Sequence, residues 1–405
     1  MQAPQLMSRQ FAGELATRWW RRDSGYLDND CTLAELTTFD NTIDAMLDGL
    51  ATHGEHGKQA AWAQLERAGN APDAVADVFC VIAQLLVLQD RDACASAIDK
   101  IKVSRLPELV QALGAAFQWV DNDLSREIAR SCIGQQYPAW IAAGLLGMEA
   151  HGGAQAEELL PLVNHAQDRI SIRALNFMAN AGMAHLIRNW DPLVSAQASP
   201  KKRYAAHRAM LFATGDSSLF EHLWREVQNH SQLLHDGLPL LGAGMPQAKQ
   251  AKLLDALQGL NNKPELAVLS MCRRLGNTAH LNRCTRLLDS PYNAQSRQAI
   301  ASITGCTLDG ELPRPEQHAQ WQRWWRDNSE RFDPQQRYLM GQPVDDALLY
   351  HALVALPQSE REAAALHLSL RNPRLPLFAA RLPARVQWRS LQQLALRLQL
   401  RQGRP

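Results

Sequence analysis

A chain of 405 residues has room for two or three ordinary domains, or for one elongated repeat domain in which every unit touches only its neighbours. Hydrophobic residues make up 46% of it but aromatics only 6%, so the apolar content is mainly Ala, Leu, Val and Ile, which points to helices packed closely on helices. The formal net charge of +1 hides a basic C-terminal end, and seven cysteines, odd in number and without a C-x-x-C pair, argue against a disulfide framework and for buried thiols in a reducing compartment.

The first expected helix carries Phe11, Leu15, Trp19 and Trp20 close to one face and ends at Arg21, Arg22 and Asp23. A connector through Ser24, Gly25 and Asp28 leads to a strongly amphipathic helix, in which Leu33, Leu36, Phe39, Ile43, Met46, Leu47 and Leu50 recur at steps of three and four. It stops near Gly49 to Gly54. The nearby His53, Glu55 and His56 lack the spacing of a helical metal site and read as a solvent-exposed turn. The richest apolar segment, Val78 to Leu88, is broken by Gln84 and is too short to span a membrane, and Met1 opens no signal-peptide pattern, so the expectation is a soluble, cytoplasmic protein without membrane association.

From about Pro72 the chain repeats itself. Apolar helical segments end at Gly147, Gly182, Gly215, Gly244, Gly276 and Gly305, at steps of 35, 33, 29, 32 and 29 residues. Arg173-Ala174-Leu175 leads to Ala179 and Gly182, Arg208-Ala209-Met210 leads to Ala213 and Gly215, and Ala267-Val268-Leu269 precedes Leu275 and Gly276. A second helix resumes after each glycine, so the unit is helix, glycine turn, helix. One hairpin of about thirty residues buries too little to stand alone, whereas stacked hairpins share a continuous core. Sustained alternation with β-branched enrichment is lacking, so almost no sheet is expected.

His165, His185, His207, His222 and His280 lie on these helical segments without a second ligand at metal spacing, and read as structural. Gly242-Ala243-Gly244 lacks the third glycine and the βαβ setting of a dinucleotide loop, with Gln247 in its place. Phosphate-binding loops, nucleophile elbows and catalytic triads find no match in the text of the chain. No catalytic residue, metal or cofactor is therefore assigned.

After Gly305 the pattern changes. Asp309-Gly310 and Pro313-Arg314-Pro315 interrupt the helices. Glu316 to Asn328 then reads as a helix whose spacing places Trp321 beside both Trp324 and Trp325. Three rings can build a ligand cage or a stacking platform, or pack into a core, where each contributes up to about 4 to 6 kcal/mol of burial. Core packing is the stronger reading, with partner contact the alternative.

Several stretches together resemble an uncharacterised bacterial HEAT-repeat family. They are Thr38, Asn41, Ile43, Ala45 and Leu47-Asp48-Gly49-Leu50 near the start; Ile303-Thr304-Gly305; Trp324-Trp325, Phe332 and Arg337-Tyr338-Leu339-Met340-Gly341-Gln342-Pro343; then Arg361, Ala363-Ala364-Ala365-Leu366, Phe378 and Pro383-Ala384-Arg385. The resemblance covers both ends and, more weakly, the repeats between; it departs at Asn41, where a basic residue is expected, and in the drifting glycine period. Members are often encoded beside type VI secretion components, so the resemblance implies an accessory role there. It carries no catalytic residues.

From Ala363 to Pro405 there are eight arginines, Arg401 and Arg404 among them, and no acidic residue, which leaves residues 1–362 at a net −7. Val386, Trp388, Leu391, Leu394 and Leu398, with the Arg385/Arg389 and Arg397/Arg401 pairs, mark an amphipathic helix that closes the exposed end of a solenoid or, alternatively, meets an anionic partner. The sequence thus predicts an all-α, HEAT-like α-solenoid: an N-terminal helical cap over 1–71, repeats over 72–305 and a Trp/Arg-rich helical module over 306–405. Its expected function is non-catalytic protein binding, with Trp321, Trp324, Trp325, Arg337, Tyr338, Arg385 and Arg389 as candidate contacts. The alternative is a nucleic-acid-binding or base-repair solenoid that uses the Arg-rich end.

Overall fold

The computed structural model describes residues 3–23, 31–68, 74–104, 107–135, 137–260 and 263–399. The Ser24-Gly25-Asp28 connector, Pro72, Arg401 and Arg404 lie outside them. The protein is all-α. Its elements are α1 (Ala3–Asp23), α2 (Leu33–Thr52), α3 (Glu55–Ala68), α4 (Val75–Val87), α5 (Arg91–Ser104), α6 (Pro107–Trp119), α7 (Asp123–Ile133), α8 (Pro138–His151), α9 (Ala156–Val163), α10 (Asp168–Asn180) and α11 (Asp191–Val194). There follow α12 (Pro200–Thr214), α13 (Leu219–Asn229), α14 (Leu234–Gly244), α15 (Gln247–Leu260), α16 (Pro264–Leu275), α17 (Leu281–Thr285), α18 (Asn293–Thr304), α19 (Arg314–Asn328), α20 (Asp346–Ala355), α21 (Gln358–Arg371) and α22 (Ala384–Arg397). Among the described residues the only strands are β1 (Tyr338–Leu339) and β2 (Gln342–Pro343), a two-residue antiparallel pair that opposes Tyr338 to Pro343.

Helix starts follow local chemistry. Thr32 and Glu35 form a reciprocal capping box at α2, and Asn122, Ser199 and Asp345 accept an amide at the starts of α7, α12 and α20. Even-numbered helices from α4 to α12 pack each on the next, and α14, α16 and α18 do the same, while the odd-numbered partners cover them from outside. One apolar core runs unbroken from Ala12 to Tyr338, so no core boundary falls at residue 71. A second core joins Leu33 and Leu36 of α2 to Leu349, Leu353, Leu368, Leu391 and Leu394 of the last three helices. Helix α2 therefore packs with the last three helices.

The chain after α19 folds back along the stack and closes the carboxyl ends of its inner helices. Such ends leave carbonyls without an intrahelical partner. Arg337 donates to Gly242 O, Ala243 O and Met245 O at the end of α14, at 3.0, 2.5 and 2.7 Å. Tyr338 N donates to Gly276 O after α16 at 2.7 Å, and Met340 N to Ser302 O in α18 at 2.6 Å. After α21, Arg374 N donates to Phe212 O in α12 at 3.0 Å, and Leu377 N to Asn180 O in α10 at 2.7 Å. Five inner helices, α10, α12, α14, α16 and α18, thus end against two stretches of the returning chain, 337–340 and 374–377.

Two of the repeat glycines show why the sequence needs glycine at this edge. Gly276 and Gly305 end α16 and α18 at φ +62° and +76°, and a Cβ would stand 2.6 Å from Tyr338 O and 2.9 Å from Met340 O respectively. Gly182 and Gly215 have the same left-handed backbone and face Arg374 and Pro373. The other two expected stops differ. Gly147 lies inside α8, which runs on to His151, and glycine is required there because a Cβ would sit 2.6 Å from Phe117 Cβ. Gly244 is the last residue of α14 and makes room for the Phe220 ring.

Two smaller readings also change. Trp19 is buried but Trp20 is 46% exposed, because it lies one residue off the core face of α1. Only His53 and Gly54 link α2 to α3, and Glu55 and His56 already belong to α3: His53 stacks on Phe11 with its Nδ1 2.8 Å from Ser8 Oγ, and His56 is half-buried.

Gly276→Ala and Gly305→Ala are each expected to destabilise the protein by about 1–3 kcal/mol, through the left-handed backbone and the close carbonyl. Gly259→Ala, in α15 with open space around it, is expected to be neutral or stabilising by up to about 1 kcal/mol. Urea unfolding followed by circular dichroism separates these outcomes; equal effects at all three sites would contradict the account.

Candidate functional site

The aromatic cluster after the repeats faces inward. Trp321 on α19 stacks on Trp324 and Trp325 with centroids 5.8 and 5.3 Å apart, and Phe332 continues the column to Trp325 at 5.5 Å and Tyr338 at 4.9 Å. Trp321, Phe332 and Tyr338 are buried, and Trp324 and Trp325 are half-buried against the same core. The Tyr338 hydroxyl accepts from Asp333 N at 2.6 Å, while Pro334 O accepts from Gln247 and Asn277. The rings hold the segment that caps α14, α16 and α18.

Arg337 is directed at helix-end carbonyls and not at solvent, and burial pushes its pKa down to about 10. It caps α14 with three hydrogen bonds, since a guanidinium offers several donors in a fixed fork to carbonyls at the negative end of a helix. Tyr338 and Trp321 are buried and Arg337 is half-buried, so the three offer a partner little surface.

Arg385 and Arg389 are paired within the chain. Arg385 Nη1 lies 2.8 and 2.6 Å from the two Asp44 oxygens, and Arg389 Nη1 lies 2.8 Å from Asp121 Oδ2. Asp44 also accepts from Trp119 Nε1 at 2.7 Å, and the guanidinium carbons of Arg22 and Arg385 lie 5.1 and 5.5 Å from the centroid of that indole. Arg22 bonds Asp40 at 2.7 and 3.2 Å and reaches Leu382 O at 2.8 Å, while Asp40 Oδ2 accepts from Ala384 N at 2.7 Å, at the start of α22. Burial would raise Asp121, but its bonds to Arg126 and Arg389 outweigh this and hold it below the usual carboxylate range. The Arg-rich end and the acidic remainder of the chain meet in this clasp.

What stays open is a groove of about 1630 Å³ across α10, α12, α14, α16 and α18, walled on its far side by α21. On α10 the apolar residues Ile170, Ala174, Leu175 and Met178 face the core, which turns Arg169, Arg173 and Asn176 into the groove; on α12, Lys201, Tyr204 and Arg208 share a face by the same helical spacing. Arg273 and Arg274 of α16 and Arg381 complete seven basic residues against Asp168, Asp236 and Glu362.

Many of these cations are held by neighbours. Arg173 meets Glu149 at 2.6 Å, Arg273 meets Glu360 at 3.1 Å, and Arg208 bonds Asn176 and Asn180 at 3.2 and 2.6 Å. Arg169 and Lys201 are exposed. Arg274 Nη1 and Arg173 Nε are buried and donate to no acceptor among the described residues. Burial lowers the pKa of Arg208; burial, then the Arg273 charge, lowers that of Arg274. None of these residues was marked as a site by the sequence, although the repeated Arg-Ala-Leu and Arg-Ala-Met text at Arg173 and Arg208 was its visible trace.

The chemistry elsewhere is quiet. Cys31 is half-buried and the other six thiols are buried; burial pushes Cys94 up to about 12 and Cys306 up to about 11. Among the described residues no group of three His, Cys, Asp or Glu side chains is placed to hold a metal ion, and no helix is long and apolar enough to cross a membrane. No protein-family model matches the chain, and no curated protein or solved structure is significantly similar to it.

Behind the groove, His367 lies 3.0 Å by Nε2 from Arg274 O, a geometry that puts the proton of the neutral ring on Nε2. Burial first, then the Arg337 charge, pushes its pKa to about 3, and burial with the stacked His222 pushes His207 to about 4. Both values lie below the ordinary 6.5, so the unfolded chain binds more protons between them. The stability these rings contribute is present above pH 6.5 and lost as pH falls through that window. Thermal melts from pH 7 to pH 4 are expected to show a falling midpoint, with a shallower fall in His367→Gln; a variant that parallels the wild type would contradict the assignment.

Proposed function

We propose that this chain is a non-catalytic protein-binding scaffold or adaptor of the HEAT-repeat kind, acting in the cytoplasm. The observation that carries the reading is the groove. It exceeds the roughly 300–1,000 Å³ of ordinary small-molecule pockets, crosses five helices, and is lined by charged and amide side chains interspersed with apolar ones such as Ile172, Leu238 and Leu366. A rigid stack with such a face binds through shape and charge. The resemblance of both chain ends to the HEAT-repeat family adds an accessory role in type VI secretion to the proposal.

The nucleic-acid reading has less support. It relies on the Arg-rich end and the tryptophans, and of that end Arg371, Arg381, Arg385 and Arg389 already face Asp346, Glu362, Asp44 and Asp121, while Trp321, Trp324 and Trp325 pack against the core.

Affinity capture of the tagged full chain at native expression, after nuclease treatment, is expected to recover a discrete protein partner in near-stoichiometric yield. Recovery of no protein, or of nucleic acid alone from untreated extract, would overturn the scaffold reading.

A further inference from the structure

We propose that the groove takes an extended, acidic segment of a protein partner, whose carboxylates meet Arg169, Lys201 and Arg274; this rests on the scaffold reading and names its ligand. Three observations support it. First, seven basic residues face three acidic ones along this wall, and with Arg173, Arg273 and Arg381 paired to Glu149, Glu360 and Glu362, the excess positive charge rests on Arg169, Lys201, Arg208 and Arg274. Second, the buried Arg274 Nη1 and Arg173 Nε have no acceptor among the described residues, and an unpaired buried donor is unfavourable unless a ligand supplies the acceptor. Third, the exposed Arg169 and Lys201 stand on adjacent helices at the rim, free to draw in an anion.

The composition of the wall selects peptide over nucleic acid. Its rings are Tyr204, buried with its hydroxyl donating to Asp236 O, and the single exposed imidazole of His235, so no row of large rings is presented for stacking successive bases. Asp168, Asp236 and Glu362 interrupt the positive surface and would repel a continuous phosphate chain, whereas a polypeptide can place neutral or basic residues opposite them.

The test is fluorescence anisotropy of a labelled peptide with six glutamates spaced by glycines, titrated with the full chain at low salt. Wild type is expected to bind it, with affinity falling as salt rises. Arg169→Glu with Lys201→Glu is expected to weaken binding at least tenfold, and the equal charge change Arg225→Glu with Lys252→Glu, at exposed positions on the outer helices α13 and α15, to leave it within twofold. Equal loss in both double variants, no binding by wild type, or tighter groove-dependent binding of a single-stranded oligonucleotide of the same charge would each overturn the proposal. Affinity capture separates the two levels. If wild type recovers a partner and Arg169→Glu with Lys201→Glu recovers it undiminished, the groove proposal falls and the scaffold reading stands; if wild type recovers none, the scaffold reading falls, and this one with it.

Discussion

The carboxyl ends of α10, α12, α14, α16 and α18 set the terms for the rest of the molecule. Each would present carbonyls with no intrahelical donor, and the returning chain supplies those donors from Arg337, Tyr338, Met340, Arg374 and Leu377. A backbone can approach that closely only where the receiving helices carry no Cβ, which is why left-handed glycines recur along this edge. The aromatic column from Trp321 to Tyr338 fixes one half of the returning chain, and α21 packed on α14 fixes the other.

A stack of hairpins normally ends in exposed helix faces. Here the C-terminal helices share a core with α2, and the clasp of Arg22, Asp40, Asp44, Trp119 and Arg385 draws opposite charges from the two ends into contact. The distribution of charge acquires a structural meaning: much of the basic excess after residue 362 is matched within the chain, through Arg371 to Asp346, Arg381 to Glu362, Arg385 to Asp44 and Arg389 to Asp121. The groove is lined by further basic residues, on helices that contribute their apolar faces to the core and their basic faces to the cleft.

Local periodicity made the helices, the glycine-ended hairpins and the inward spacing of Trp321, Trp324 and Trp325 legible in the sequence, because each is written within one or two helical turns. It could not distinguish Gly147 from Gly276, since a glycine that admits Phe117 and one that ends a helix are the same letter. Contacts between residues far apart left no local trace: Arg337 gives no hint that its acceptors lie near Gly242, nor Arg385 that its carboxylate is Asp44. The groove left a partial trace, the arginines at positions 173 and 208, which mark the repeat and also line the open face.

Native-state hydrogen exchange at the amides of Tyr338, Met340, Gly341, Arg374 and Leu377 tests this closure most directly. If the returning chain caps the stack, these amides exchange slowly, with protection comparable to that of the helices they close. Exchange at the rate of exposed loop amides would contradict it.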